Sequence, residues 1–206
     1  MNIVTIDFDI IMKPDINLYN GMLENDLVID DFIKEHELLK NLKADLYIYE
    51  YITRYLTKVI KRIDAKNVYF IKDHDTIVKY LNDNERFNLW NIDHHHDITY
   101  DDENVTLPII NCHCGDWVKY LMDRKKIKYY TWISNNNSYE PGEEVRENYK
   151  YNQLLLEESN LDKLALETDK LFICLSPPWV PDYYTPLYQA WIAICEEYYE
   201  EPFKVI

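Results

Sequence analysis

Apolar runs and amphipathic stretches alternate along the chain. Short runs rich in β-branched and aromatic residues predict buried strands at residues 2–11, 68–71, 87–92, 127–133 and 171–175, with a shorter run at 108–110. Apolar residues at helical spacing predict helices over about 26–42, 45–63, 76–83, 143–158 and 187–199, and one that ends near Met122. Strands that alternate with helices form mostly parallel sheets covered on both faces, so we predict an α/β protein with a three-layer α/β/α fold.

The length and composition predict the number of domains. The chain has 206 residues, of which 47% are hydrophobic and 15% are aromatic. A chain of this size can bury one sizeable core, and no internal repeat divides it. We therefore predict a single domain over residues 1–206.

The negative net charge of the protein indicates which kinds of partner it can bind. It has 37 acidic and 22 basic residues, and its formal net charge is −15. Nucleic-acid-binding proteins usually carry a basic patch, whereas the basic clusters here, at 58–66 and 124–128, are short. We therefore expect no nucleic-acid partner. A negative surface attracts cations instead, including metal ions and positively charged substrates.

The N-terminal segment has no charged-then-apolar signal pattern and meets an acid at Asp7. No uninterrupted apolar stretch approaches the roughly 18 residues that a membrane-spanning helix needs. We therefore expect a cytoplasmic protein with no membrane partner. Four cysteines lack the usual spacing of a zinc site, so we expect reduced thiols at Cys112, Cys114, Cys174 and Cys195.

Acidic residues and histidines cluster where predicted strands end. Asp7 and Asp9 belong to the first strand, and His74 follows the second. The third strand leads into Asp93-His94-His95-His96-Asp97, and His113 follows the short run at 108–110. Ligands of parallel sheets bind at the carboxyl ends of the strands. Carboxylates that crowd together there repel one another unless cations or protons neutralise them.

The segment from Asp93 to Asp97 predicts which side chains form a site. In an extended segment alternate side chains share a face, so Asp93, His95 and Asp97 should point one way. His94 and His96 should point the other way and serve in packing or support. Two carboxylates and an imidazole form a mixed oxygen and nitrogen ligand set, which suits Mn²⁺, Fe²⁺ or Zn²⁺ and differs from a thiolate site.

At these residues the chain resembles the arginase and histone-deacetylase superfamily of metallohydrolases. Phe70-Ile71-Lys72-Asp73-His74-Asp75 followed by Asp93-His94-His95-His96-Asp97 is similar to the family's Gly-Gly-Asp-His-Ser turn and its Asp-Ala-His-x-Asp motif. Asn111-Cys112-His113-Cys114-Gly115 is similar to a downstream Asn-x-His-Gly-like turn. The chain departs from the family in carrying its Asp-x-Asp pair, Asp7-Phe8-Asp9, at the N-terminus. It also has Ser176-Pro177-Pro178 where arginases have a late substrate-binding Glu.

The resemblance implies an arginase-like hydrolase with two Mn²⁺ ions, or with Zn²⁺ or Fe²⁺ in their place. The predicted metal ligands are Asp7, Asp9, His74, Asp93, His95 and Asp97. Asp93 and Asp7 would bridge the ions, with His74 and Asp97 on one ion and His95 and Asp9 on the other. The ions would activate a water as the nucleophile, with Asp93 central to catalysis. His113 would shuttle the proton to the leaving amine.

The expected reaction is hydrolysis of a C–N bond in a guanidino or amide group. The resemblance suggests a compact arginase-like variant that acts on guanidino groups within peptides, so we expect a small-molecule or peptide substrate. A cationic substrate fits the negative charge of the protein. The sequence leaves a homo-oligomer open.

Two alternatives remain. Asp93-His94-His95 and the N-terminal Asp7-Phe8-Asp9 also resemble the phosphoesterases named after their Asp-His-His motif. A non-catalytic binding protein that keeps the fold is the third possibility. Release of urea or ammonia rather than phosphate separates the first two, and loss of turnover in an Asp93→Ala variant separates an enzyme from a scaffold.

Overall fold

A seven-stranded parallel sheet forms the centre of the protein, with strand order β7-β6-β5-β1-β8-β4-β9. The computed structural model describes residues 1–13, 43–81, 85–98, 115–136, 138, 141–177, 180–200 and 202–206. The strands of the sheet are β1 (Asn2–Asp7), β4 (Val68–Ile71), β5 (Phe87–Ile92), β6 (Ile127–Ser134), β7 (Asn152–Leu155), β8 (Lys170–Cys174) and β9 (Lys204–Val205). A separate antiparallel pair joins β2 (Met12–Lys13) and β3 (Lys43–Ala44).

Strand β1 lies at the middle of the sheet. It pairs in parallel with β5 on one side and with β8 on the other, so that Ile6 lies opposite both Ile92 and Ile173. Its last residue, Asp7, therefore reaches the carboxyl edge beside the residues that follow β5. The ends of the first strand and of the strand before Asp93 are neighbours in space.

The two faces of the sheet bury separate apolar cores, which confirms the predicted three-layer α/β/α fold. The first core packs under three helices: α1 (Leu46–Ile60), α4 (Glu158–Glu167) and α5 (Thr185–Tyr198). The second core packs under α2 (Trp117–Asp123), α3 (Glu143–Asn148) and a 3₁₀ segment, His74–Tyr80. Val4 and Ile6 face the first core while Ile3 faces the second, as strand alternation requires.

Helix α1 shows how local sequence forms these elements. Asp45 caps its start, since Oδ1 accepts hydrogen bonds from the backbone N–H groups of Tyr47 and Ile48. Ile52, Leu56 and Val59 recur at helical spacing and are buried against the sheet.

Three predicted elements differ from the structure. The first strand ends at Asp7 rather than at residue 11, because Phe8–Ile11 forms a 3₁₀ turn whose start is capped by the Asp7 carboxylate. The helix predicted over 76–83 is a 3₁₀ segment, His74–Tyr80. The helix predicted over 143–158 begins at Glu143 as expected, but its predicted length is wrong, since α3 ends at Asn148 and α4 begins only at Glu158.

Between α3 and α4 lies the edge strand β7, which pairs with β6. All four of its side chains are exposed, so no apolar alternation marks it in the sequence. The short strand β9, at the opposite edge, is exposed and equally unmarked. The helix predicted over 26–42 and the strand at 108–110 lie outside the described residues. Among the helices that the structure describes, none combines the length and apolarity needed to cross a membrane.

Phe8 links the fold to the carboxyl edge of the sheet. Its buried ring packs edge-on against Tyr188 and Trp191 of α5, with centroid distances of 5.5 and 5.0 Å.

We expect Phe8→Ala to lower the free energy of unfolding by about 3–5 kcal/mol, because it leaves a cavity in the first core. Urea denaturation measures the change. Tyr47→Ala, at a ring that is 74% exposed, should change it by less than about 0.5 kcal/mol, and an equally small effect of Phe8→Ala would contradict the packing.

Candidate metal centre

Six side chains predicted from the sequence come together at the carboxyl edge of the sheet. Asp7 ends β1, Asp9 lies in the turn that follows, and His74 opens the 3₁₀ segment after β4. The other three, Asp93, His95 and Asp97, follow β5. All are buried except His95, whose side chain is 13% exposed. His95 is therefore the member of the cluster that reaches solvent most.

Strand alternation explains why these groups meet. Ile3, Thr5 and Asp7 alternate along β1, and Leu89, Asn91 and Asp93 alternate along β5 and its end. Ile3 and Leu89 belong to the second core. The strand face that is apolar in the middle of the sheet thus becomes polar at its carboxyl edge.

The first set of potential ligands is the His74 group, which consists of Asp7, His74 and Asp93. Its ligand atoms lie within 4.8 Å of one another. His74 Nδ1 lies 3.2 Å from Asp7 Oδ2 and 3.4 Å from Asp93 Oδ2, and a third oxygen, Asp97 Oδ2, lies 3.2 Å away. One ring nitrogen carries at most one proton and cannot donate to three oxygens. Ligand atoms that share an ion at about 2.1 Å are roughly 3.0–3.4 Å apart, which fits these distances.

The second set is the His95 group, which consists of Asp9, Asp93 and His95 and is equally compact. His95 Nδ1 lies 3.3 Å from Asp9 Oδ2 and 3.4 Å from Asp93 Oδ1. Both carboxylate oxygens of Asp9 are buried, and within the described part of the chain neither has a hydrogen-bond partner. A buried carboxylate in this situation needs a cation or a proton.

Asp93 belongs to both groups. Its Oδ2 faces His74, and its Oδ1 faces His95. The two oxygens of one carboxylate therefore point to two different imidazoles. Asp93 is thus the residue that the two groups of potential ligands have in common. Asp7 contributes to the His74 group, and its other oxygen accepts a hydrogen bond from the Asp9 backbone N–H at 3.3 Å.

Charge within the cluster is far from balanced. Burial raises the pKa of Asp9 well above its usual value, and the charges of Asp7 and Asp93 raise it further. Burial and the charge of Asp93 also raise the pKa of Asp97 to about 8. In the absence of a cation these carboxyls hold protons to limit the buried negative charge. Divalent ions would displace those protons, since metal ligands bind in their deprotonated form.

The pKa values of His74 and Asp93 shift so that the charged form of each side chain is favoured. Burial disfavours the charged imidazole of His74, but hydrogen bonds to the surrounding carboxylates outweigh it and raise its pKa well above the usual value. Burial likewise opposes ionisation of Asp93, yet hydrogen bonds from His74 and His95 keep its pKa well below the usual range. Asp93 therefore stays ionised as the common acceptor of the two imidazoles.

His94 and His96 are held by contacts outside the two groups. His94 Nε2 lies 2.9 Å from the carbonyl oxygen of Met12. His96 Nδ1 accepts a hydrogen bond from the backbone N–H of Ile98, and its ring packs edge-on against Trp132. Burial, together with the charge of His95, lowers the pKa of each imidazole to about 4, so both are neutral near pH 7.

His94 and His96 lie outside the two ligand groups, as expected, but the predicted cause, strand alternation, is wrong. The chain is not extended after β5: it bends over residues 93–95, and Asp97 has a φ of 51°. Side-chain contacts hold this bent segment in place, so tertiary structure rather than strand alternation separates the histidines.

Sequence reasoning missed the residues that hold the bend. Asn91 Nδ2 lies 3.2 Å from Asp93 Oδ2 and 3.3 Å from Asp97 Oδ2. Three aromatic side chains donate further hydrogen bonds: Trp117 Nε1 to Asp97 Oδ2 at 2.7 Å, Trp132 Nε1 to the Asp93 carbonyl at 2.9 Å, and Tyr130 Oη to the His96 carbonyl at 2.6 Å. Asn91 was recognisable as a polar residue within an apolar strand, two positions before Asp93.

Two predicted site residues stand apart from the compact groups. Asp97 contacts His74, but its Oδ2 already accepts hydrogen bonds from Trp117 and Asn91, and it belongs to neither group. Its role as a metal ligand stays a prediction. His113 lies outside the described residues, so its role as a proton shuttle also stays a prediction.

Comparison of the chain with protein-family models, with curated proteins and with solved structures gave no match. Its function is therefore inferred from the geometry and chemistry of the cluster.

Asn91 offers a test of the support around the carboxylates. We expect Asn91→Ala to weaken Mn²⁺ binding about 10–100-fold, because side chains that orient metal ligands have effects of this size. Isothermal titration calorimetry of chelator-treated protein measures the affinity. Asn88→Ala is the matched control, since Asn88 lies on the same strand but its Nδ2 donates to Asn2 Oδ1 at the other end of the sheet. Equal affinities in the two variants would contradict the role of Asn91.

Proposed function

We propose that the protein is a metal-dependent hydrolase in which the His74 group and the His95 group would each hold a divalent ion, with Asp93 as the residue common to both. The observation that carries the proposal is the position of the Asp93 carboxylate, whose two oxygens face His74 and His95 separately. Each imidazole also has a second carboxylate beside it, Asp7 for His74 and Asp9 for His95. The cluster thus provides two compact sets of oxygen and nitrogen ligands that share one residue.

The ligand chemistry favours Mn²⁺, with Zn²⁺ or Fe²⁺ as substitutes. Both groups contain carboxylates and an imidazole and no thiolate. Burial raises the pKa of the nearby Cys174 thiol well above its usual value, so this sulfur is a protonated neighbour rather than a ligand.

Two divalent ions held by these residues would lower the pKa of a bound water and so make it a nucleophile near neutral pH. The protein contributes a largely water-excluded setting, because Asp7, Asp9, His74 and Asp93 are all at most 4% exposed. His95 lies at the more open side of the cluster, with 13% of its side chain exposed. A substrate therefore approaches on the side of the His95 group.

The substrate we propose carries a C–N bond in a guanidino or amide group, within a small molecule or a peptide. The net charge of −15 favours a cationic group, since a negative protein attracts and concentrates it. The resemblance of residues 67–122 to arginase-like hydrolases supports the same class of reaction.

A phosphoesterase is the second candidate, and strand order supports it. Asp7 and Asp9 follow β1, and Asp93-His94-His95 follows the adjacent strand β5. An N-terminal Asp-x-Asp pair beside an Asp-His-His sequence is the pattern that the phosphoesterases of that name share with this chain. However, His94 contacts the Met12 carbonyl and belongs to neither ligand group, so only part of the Asp-His-His sequence contributes to the cluster. The C–N hydrolase therefore stays the first choice.

The number of bound ions tests the metal centre. We expect about two Mn²⁺ ions per wild-type chain, because the cluster has two ligand sets. Asp9→Asn removes a ligand of the His95 group alone and should leave about one tight site, whereas Asp93→Asn removes the shared ligand and should weaken both. Plasma mass spectrometry after dialysis, together with calorimetry, measures the stoichiometry. His94→Gln is the matched control and should keep two ions, and a wild-type chain that binds none would refute the centre.

The type of substrate is tested with a panel. Wild-type protein loaded with Mn²⁺ is incubated with arginine-containing peptides, free guanidino and amide compounds, and phosphodiesters, and the release of urea, ammonia and phosphate is measured. We expect urea or ammonia, and we expect Asp93→Asn to lower turnover at least 100-fold, on the order of the loss of a group that stabilises the transition state. Phosphate release would establish the second candidate. Two tightly bound ions without turnover on any substrate would identify a binding protein.

A further inference from the structure

Ser176 has an unusual backbone for its residue type. It lies two residues beyond the end of β8, is buried, and has a φ of 48°. A positive φ is uncommon for a residue other than glycine, and Ser176 also precedes Pro177, where extended backbone is favoured. Strained backbone of this kind persists where surrounding contacts impose it, and it is concentrated at functional sites.

Backbone hydrogen bonds to the end of β4 hold this segment. The backbone N–H of Leu175 donates to the Ile71 carbonyl, and that of Ser176 donates to the Lys72 carbonyl, both at 3.0 Å. These bonds continue the pairing of β8 with β4 beyond the last strand residue. The side chain of Ser176 is thereby directed toward the end of β1, on the other side of β8.

The hydroxyl of Ser176 contacts a member of the His74 group. Its Oγ donates a hydrogen bond to Asp7 Oδ2 at 2.6 Å, and the same oxygen lies 3.2 Å from His74 Nδ1. The thiol of Cys174 lies 3.3 Å from Ser176 Oγ and donates to the Lys72 carbonyl at 3.2 Å. Since the thiol proton is directed to a carbonyl, the single hydroxyl proton is available to the carboxylate.

We propose that Ser176 is a positioning residue, which orients the Asp7 carboxylate for metal binding in the His74 group. This inference rests on the proposed metal centre and concerns one of its two sites. Asp7 Oδ1 accepts the Asp9 backbone N–H, and Oδ2 accepts the Ser176 hydroxyl, so the carboxylate is held at both oxygens. Its plane is then fixed with one lone pair of Oδ2 directed at the imidazole side. Hydrogen bonds of this type orient metal ligands and raise affinity.

The test uses the difference between the hydroxyl and the strained backbone. Ser176→Gly removes the hydroxyl and relieves the positive φ, because glycine adopts this conformation readily. Ser176→Ala removes the hydroxyl but keeps the strain. We expect both variants of the full chain to bind one of two Mn²⁺ ions about 10–100-fold more weakly than wild type. We also expect the glycine variant to be at least as resistant to heat as the alanine variant when both are metal-free.

Two further variants sharpen the result. In an Asp9→Asn background only the His74 group remains, so the loss caused by Ser176→Gly should appear there at full size. Ser134→Ala is the matched control: Ser134 is a buried serine at the carboxyl end of β6, and Gln153 donates to its hydroxyl. It should bind both ions as the wild type does. Calorimetric titration with Mn²⁺ and thermal unfolding with and without Mn²⁺ provide the two readouts.

The outcomes separate this role from the proposed function. Wild-type affinity in Ser176→Gly would overturn the positioning role while leaving the metal centre intact, even if Ser176→Ala were impaired, because strain alone would then explain the alanine result. No Mn²⁺ binding by the wild-type chain would overturn the metal centre itself, and the role of Ser176 with it.

Discussion

The structure depends on keeping four carboxylates and two imidazoles together in a buried space. Asp7, Asp9, Asp93 and Asp97 are each at most 4% exposed, and they lie against His74 and His95. Like charges at such distances repel strongly when water is excluded, so the arrangement requires cations or protons between the carboxylates. Asp93 is the centre of this constraint because both imidazoles share it.

Rigid hydrogen-bond donors around the cluster hold its carboxylates and the backbone next to them in place. Asparagine, indole and phenol groups hold the bent segment after β5 from the inside of the protein. An aromatic donor adds packing area and a directed N–H or O–H at little loss of side-chain freedom. Part of the unusual aromatic content of this chain therefore serves the cluster as well as the core. Of the three non-glycine residues with positive φ in the described part of the chain, Asp97 belongs to the cluster and Ser176 contacts it.

The two faces of the sheet have different tasks. One face carries the longer helices and the first core, and Phe8 fixes the turn between Asp7 and Asp9 to that core. On the other face the core gives way to Thr5, Asn91 and the carboxylates toward the edge. Thr5 Oγ1 donates to Asn91 Oδ1 at 2.5 Å, which connects the polar end of β1 to that of β5. The ligand cluster thus lies at the carboxyl edge of the face that carries the second core.

Local patterns in the sequence determined the fold class, the position of the buried strands and the six side chains of the cluster, because apolar runs and the polar residues that end them are short-range signals. They missed β7, whose exposed side chains carry no such signal. Only the tertiary structure decided that β1 lies between β5 and β8, which places Asp7 and Asp9 beside Asp93. The tertiary structure also brings the side chains of Asn91 and Ser176 into contact with carboxylates of the cluster. Ser176 is 169 residues from Asp7, and a contact across that distance depends on strand order, which local sequence does not encode.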